Sequence, residues 1–197
     1  EAEKHFAPPP MVPFAGDRAR FVELVHDALY CSKIMAYAQG MALISQASKD
    51  YHWNLNLGEI SSLWKGGCII RARFLDQIRK AYEQNGNLPN LIVDPFMKAE
   101  VTRTVGALRE IVAVCAARGI PAIAFGTSLS YFDSYRTANM PQNLTQAQRD
   151  FFGSHTYQRT DRAGTFHFDW IGGGGEHAAA GSGSLVFCLG GDIFPAY

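Results

Sequence analysis

The chain has 197 residues, 47% hydrophobic and 18% charged, and its 18 Lys and Arg balance its 18 Asp and Glu. That length fits one domain, or one large domain with appendages, and supplies enough apolar residues for a core. A formal net charge of zero excludes nucleic acid and anionic membrane as partners held by a general field, so any anion must be gripped by a local cluster.

Residues 1–16 are rich in proline and alanine, and Pro8, Pro9, Pro10 and Pro13 block regular pairing, so they read as a linker or frayed end. An opening linker suggests that something precedes it. Asp17 then caps a long helical pattern in which Phe21, Leu24, Val25, Ala28, Leu29, Met35 and Ala38 recur at three- and four-residue steps. Its apolar residues surround the helix, which predicts burial on nearly all sides. Near Asp50 the pattern gives way, and Asn56 with Glu59 three residues later marks a new helix start. The helical pattern continues to Glu83, interrupted by Gly66 and Gly67, which predict a kink or a close helix contact. Lys33, alone among apolar neighbours, reads as a snorkelling or paired lysine.

A further helix is predicted from about Pro95 to Arg118, stopped by Gly119 with Pro121 beyond. Another runs from about Ile123 to Ala138, and Asn143 opens a short one ending at Gly153. After Gly153, alternation with a turn signal at Asp161 to Gly164 predicts a β-hairpin or extended arm. From Gly172 the run GGGGEHAAAGSGS has the composition of a flexible linker, and SLVFCLGGDIFPAY after it reads as a docking segment. The fold class is therefore mainly α, one helical bundle with an extended C-terminal arm.

The four cysteines, Cys31, Cys68, Cys115 and Cys188, form no CxxC pair and read as free thiols in a reducing compartment. Spacing offers no metal site. There is no signal-peptide-like start and no apolar run that spans a bilayer, so a cytoplasmic location is expected. No phosphate loop, GxGxxG fingerprint, nucleophile elbow or HExxH occurs, so no catalytic residue is assigned. The remaining constellation is Arg149 and His155, six positions apart around Gly153. On a continuous helix they would diverge; if the chain folds back at Gly153, both can face one phosphate monoester or carboxylate. Against that stands a bland alternative, with Arg149 paired to Asp150 or a helix end and His155 a satisfied turn residue.

Several motifs then converge. Ala28–Ile34 (ALYCSKI), Tyr37–Gly40 (YAQG), Gly66–Arg71 (GGCIIR), Asp133–Arg136 (DSYR), Asn143–Asp150 (NLTQAQRD) and Phe152–Tyr157 (FGSHTY) resemble 6-phosphogluconate dehydrogenase, in order, from about Phe21 to Trp170. The resemblance implies a helical bundle of the C-terminal domain type of that family. Residues 17–170 would be a partial dimerisation and substrate domain, and residues 171–197 a Gly-rich tail. It also implies a homodimer that oxidatively decarboxylates 6-phosphogluconate to ribulose 5-phosphate, with NADP bound in an N-terminal Rossmann domain absent from this chain. Arg149 and His155 match the family residues that hold the substrate phosphate in the neighbouring subunit's active site. The family's catalytic lysine and glutamate have no counterpart here. A non-catalytic helical oligomerisation module derived from the family is the alternative.

Overall fold

A computed structural model of the chain describes residues 1–9, 13–14 and 16–179. The chain divides into two compact units, Glu1–Phe132 and Asp133–Tyr197. The predicted docking segment and Cys188 lie outside the described residues.

The first unit is built on α1 (Arg18–Asp50), whose 33 residues span about 50 Å at helical rise. The Asp17 carboxylate accepts from the Arg20 N–H at 2.7 Å, satisfying one of the orphan donors at the helix start. Ala28, Cys31, Ile34, Met35, Ala38 and Met41 are fully buried, a stripe at three- and four-residue steps. Burial on nearly all sides is not found. Val22 (58% exposed), Leu29 (59%) and Leu43 (72%) stand open, at spacings of seven and fourteen residues along one line of the helix.

Helix α4 (Pro95–Ala117) packs against the buried stripe. The Asp94 carboxylate caps it by accepting from Phe96 and Met97 N–H at 3.0 and 3.1 Å, and Pro95 fills the first helical position, where an N–H is not needed. Arg20–Glu110 and Arg103–Asp27 bridge the two helices at 2.8 and 2.9 Å, a pairing that requires them to run antiparallel. The α4 helix ends as its sequence predicts. Gly119 takes φ +63°, Ile120 N–H donates to the Cys115 carbonyl and Gly119 N–H to that of Ala116, which closes a Schellman motif. Helix α5 (Ile123–Tyr135) follows and contributes Leu129 to the core.

The predicted helix from Glu59 to Glu83 is two helices, α2 (Leu57–Leu63) and α3 (Phe74–Gln84). Gly66 and Gly67 do not serve a close helix contact: an added Cβ at Gly67 would meet nothing within 4 Å, and Gly67 has φ +70°. They turn the chain out of α2 into a loop whose Ile69 is fully exposed. Asn56 does open α2, its side chain accepting from Glu59 N–H at 3.1 Å. Cys31, Cys68 and Cys115 are free thiols.

The second unit holds α6 (Asn143–Gly153) and an antiparallel hairpin of β1 (Phe166–Asp169) and β2 (Gly175–Ala178), with Phe166 opposite Ala178 and His167 opposite His177. Tyr157 also pairs with Phe166 across the predicted turn at 161–164. The glycines after Trp170 are not a linker at their start. They form the β1–β2 turn, where the Asp169 carboxylate accepts from the N–H groups of Ile171, Gly172 and Gly174. Only glycine enters such a turn freely: Gly173 and Gly175 have φ +70° and +75°.

Candidate functional site

The two readings of Arg149 and His155 turn on the last turn of α6. Gly153 is the final helical residue, and the left-handed position falls on Ser154, at φ 52° and ψ 40°. Ser154 N–H donates to the Asp150 carbonyl at 2.8 Å, the single bond of an αL cap, and His155 N–H reaches the Arg149 carbonyl at 3.5 Å. The chain therefore reverses where the sequence predicts, one residue later than the glycine.

Gly153 has a different task. A Cβ there would lie 3.2 Å from Nε2 and 3.3 Å from Cδ2 of His155, so the imidazole folds back against the bare glycine. Gly153 stands four residues after Arg149, on the same helix face. The Arg149 guanidinium is drawn to Gln146 on the preceding turn, and among the described residues no contact joins it to the His155 ring. Both side chains are exposed. Arg149 Nη1 donates to Gln146 Oε1 at 2.9 Å, and among the described residues the His155 ring nitrogens take no hydrogen bond. Among the described residues Arg149 pairs with Gln146 and not with Asp150.

The turn is strained on both sides of His155. Thr156 has φ 62°, a rare backbone for a β-branched residue, so left-handed residues flank the histidine. Asp150 holds both. Its carbonyl takes the Ser154 N–H, and its Oδ1 takes the Thr156 N–H at 2.9 Å. The same carboxylate, fully buried, accepts from His167 Nδ1 at 2.9 Å and from Phe168 N–H and Trp170 Nε1 at 3.0 Å each. Burial pushes the Asp150 carboxyl up, but the bonds from Phe168, His167 and Trp170 outweigh it and hold the group below the usual carboxylate range. With four donors satisfied, Asp150 has no call on Arg149.

Sequence reasoning had Asp150 only as a possible partner of its neighbour and missed its role in tying α6 to β1. One signal was present: Asp150 follows Ala147 by three residues on the face that turns inward, an odd place for an unpaired carboxylate. Beside this hub, Glu176 accepts from Tyr157 Oη at 2.6 Å and Arg159 Nη1 at 3.0 Å and also meets Arg162, which fastens the turn after His155 to β2.

The first unit has a cavity of about 530 Å³ lined by residues that include Lys33, Tyr37, Trp64, Ile70 and Arg71. Lys33 is paired as expected, its ammonium 5.7 Å from the centre of the Phe74 ring. Among the described residues no cluster of His, Cys, Asp and Glu could hold a metal ion, and no helix is long and apolar enough to cross a membrane.

The described residues form a mainly helical fold, and comparison with known proteins gives its kind. The family model of the 6-phosphogluconate dehydrogenase C-terminal domain matches residues 1–170. A decarboxylating 6-phosphogluconate dehydrogenase of Synechococcus elongatus is 56% identical over 159 residues, covering 81% of this chain and 34% of that protein. One from Staphylococcus epidermidis is 51% identical over 162 residues, covering 82% and 35%. Plasmodium falciparum 6-phosphogluconate dehydrogenase, solved apo, with NADP+ and with 6-phosphogluconate, superposes with a TM-score of 0.78 at 45% identity, over 86% of this chain and 36% of that one. The chain belongs to the 6-phosphogluconate dehydrogenase family and corresponds to its helical C-terminal domain. It spans about a third of the length of these relatives.

Proposed function

We propose that this chain is the phosphate-gripping and dimer-forming part of an enzyme that oxidatively decarboxylates 6-phosphogluconate to ribulose 5-phosphate with NADP in the cytoplasm. The observation that carries the reading is the reversal after α6, which lays the His155 ring against Gly153, four residues along the helix from Arg149. Arg149 presents a planar fork suited to two phosphate oxygens, and His155 adds a donor beside it. One effect opposes them. A helix C-terminus repels an anion by about 0.3–1 kcal/mol, less than the ~1.5–3 kcal/mol of a hydrogen bond to a charged group. The arginine wins.

Holding the phosphate end fixes the sugar chain so that its reacting carbons meet groups supplied elsewhere. NADP, when bound, accepts the hydride; this chain carries no dinucleotide fingerprint, so its share is positioning. The open line of Val22, Leu29 and Leu43 on α1 is consistent with a helix that packs on a second subunit in a homodimer.

Removing a charge-assisted arginine from a phosphate weakens binding by about 2–4 kcal/mol, roughly 30- to 900-fold. In the complete enzyme that carries this chain, Arg149→Ala raises the KM for 6-phosphogluconate by that order and leaves the KM for NADP within about twofold. An unchanged KM for 6-phosphogluconate refutes the reading. The alternative, a non-catalytic oligomerisation module, requires that the protein purified from its source form no NADPH from NADP and 6-phosphogluconate.

A further inference from the structure

The cavity of the first unit opens between α1 and the segment that follows α2. Lys33, Tyr37 and Gly40 line it from α1, and Trp64, Ile70 and Arg71 from that segment. At about 530 Å³ it falls in the range of small-molecule sites, roughly 300–1,000 Å³. The segment is tied to the helix and to itself. The Tyr37 hydroxyl reaches the Ile70 carbonyl at 3.5 Å, and Arg71 N–H donates to the Cys68 carbonyl at 3.1 Å. A closed turn thus presents the exposed Arg71 to the cavity.

The lining joins flat apolar faces to positive charge. The Tyr37 and Trp64 ring centres stand 6.1 Å apart, and Tyr37 is backed by Phe74 at 5.5 Å. Both charged residues of the lining are cations, and among the described residues neither takes an ion pair. Lys33 rests over the Phe74 ring, a contact that leaves its three N–H groups without an acceptor. Asp76, five residues beyond Arg71, is already engaged by Lys65 at 2.5 Å. A cationic guest would be repelled here, and a neutral apolar one would cover the two charges unpaired. An anion satisfies them.

We propose that this cavity binds a planar aromatic carboxylate, its ring against Tyr37 and Trp64, its two oxygens on the Arg71 fork, and Lys33 as a second charge. A guanidinium meets a carboxylate with two parallel hydrogen bonds, which separates this class from an alcohol or amide of the same shape. Gly40 keeps the space open, since a Cβ added there would meet nothing within 4 Å. The proposal does not rest on the phosphate reading of Arg149 and His155, which belong to the second unit.

The test titrates the complete protein that carries this chain with 2-naphthoate, and with 2-naphthamide as its neutral counterpart, by calorimetry. The unaltered protein should bind the carboxylate about tenfold more tightly than the amide. Arg71→Gln should weaken the carboxylate about tenfold and change the amide by less than about twofold. Gly40→Leu fills the cavity and improves helix propensity, so thermal stability should hold while both probes weaken about tenfold. Equal affinity for the two probes overturns the argument from charge. An equal loss of both in Arg71→Gln marks a structural role for the arginine and overturns the proposal as well. Carboxylate binding that survives Gly40→Leu places the ligand elsewhere, and no binding at millimolar probe means that other parts of the protein occupy the cavity; either result refutes it. None of these outcomes alters the KM test of Arg149→Ala.

Discussion

Replacing Asp150 by alanine should unfasten the second unit. Four donors lose their acceptor at once: Thr156 N–H, Phe168 N–H, His167 Nδ1 and Trp170 Nε1. Each donor left dry costs about 1–3 kcal/mol, but water entering the space vacated by the carboxylate satisfies some of them. Such losses are not additive within one network, so a total of ~3–5 kcal/mol is expected, a large share of the ~5–15 kcal/mol typical of a folded protein. Urea unfolding of the whole chain, followed through the indole N–H resonance of Trp170, reads the loss where it occurs. The same resonance reports the acid limb. Because hydrogen bonding holds the Asp150 carboxyl below its ordinary range, the folded state binds that proton more weakly than the unfolded chain. The carboxylate's contribution is therefore complete above the unfolded pKa of about 3.9 and is lost as pH falls through the lower folded value. Asp150→Ala should lack this acid-dependent component. A loss under 1 kcal/mol, or an unchanged acid limb, would refute the account of Asp150 as the fastening of this turn.

Gly153→Ala separates fold from function: alanine gains up to about 1 kcal/mol of helix propensity, yet its Cβ at 3.2 Å displaces the His155 ring. Thermal melting should show equal or higher stability, while the KM for 6-phosphogluconate rises. Asp94→Ala removes the acceptor of two N–H groups at the start of α4 and should cost about 1–2 kcal/mol by urea titration, with substrate KM unchanged. Leu43→Glu, on a residue 72% exposed, should leave helical content intact by circular dichroism and weaken self-association in sedimentation; undiminished association would remove α1 from the interface.

The helix ends were legible because their chemistry is local. Asp17, Asn56 and Gly119 each act on backbone groups within a few residues, and each does in the structure what its type suggests. Segment 64–73 misled because Ile69 and Ile70 continue an apolar rhythm although Ile69 is wholly exposed. The run of glycines misled for the opposite reason, since composition cannot show that a carboxylate at Asp169 will gather the N–H groups of the turn. At the candidate site, the family resemblance and the glycine pointed to Arg149 and His155. The hub at Asp150 stayed hidden because its partners His167, Phe168 and Trp170 arrive from 17 to 20 residues downstream. Apart from its place on the inward face, nothing local distinguishes a carboxylate awaiting three distant donors from one facing water.

The two left-handed residues around His155 also bear on how binding is divided between entropy and enthalpy. A loop that must be ordered by its ligand gives up conformational freedom at the moment of capture, whereas this turn has already surrendered it during folding. On the phosphate reading, the backbone that carries His155 needs no ordering at capture, so none of the affinity is lost to it. On the same reading mass action runs the other way as well: a phosphate ester at a hundred times its dissociation constant should raise the folding stability of this unit by about 2.7 kcal/mol.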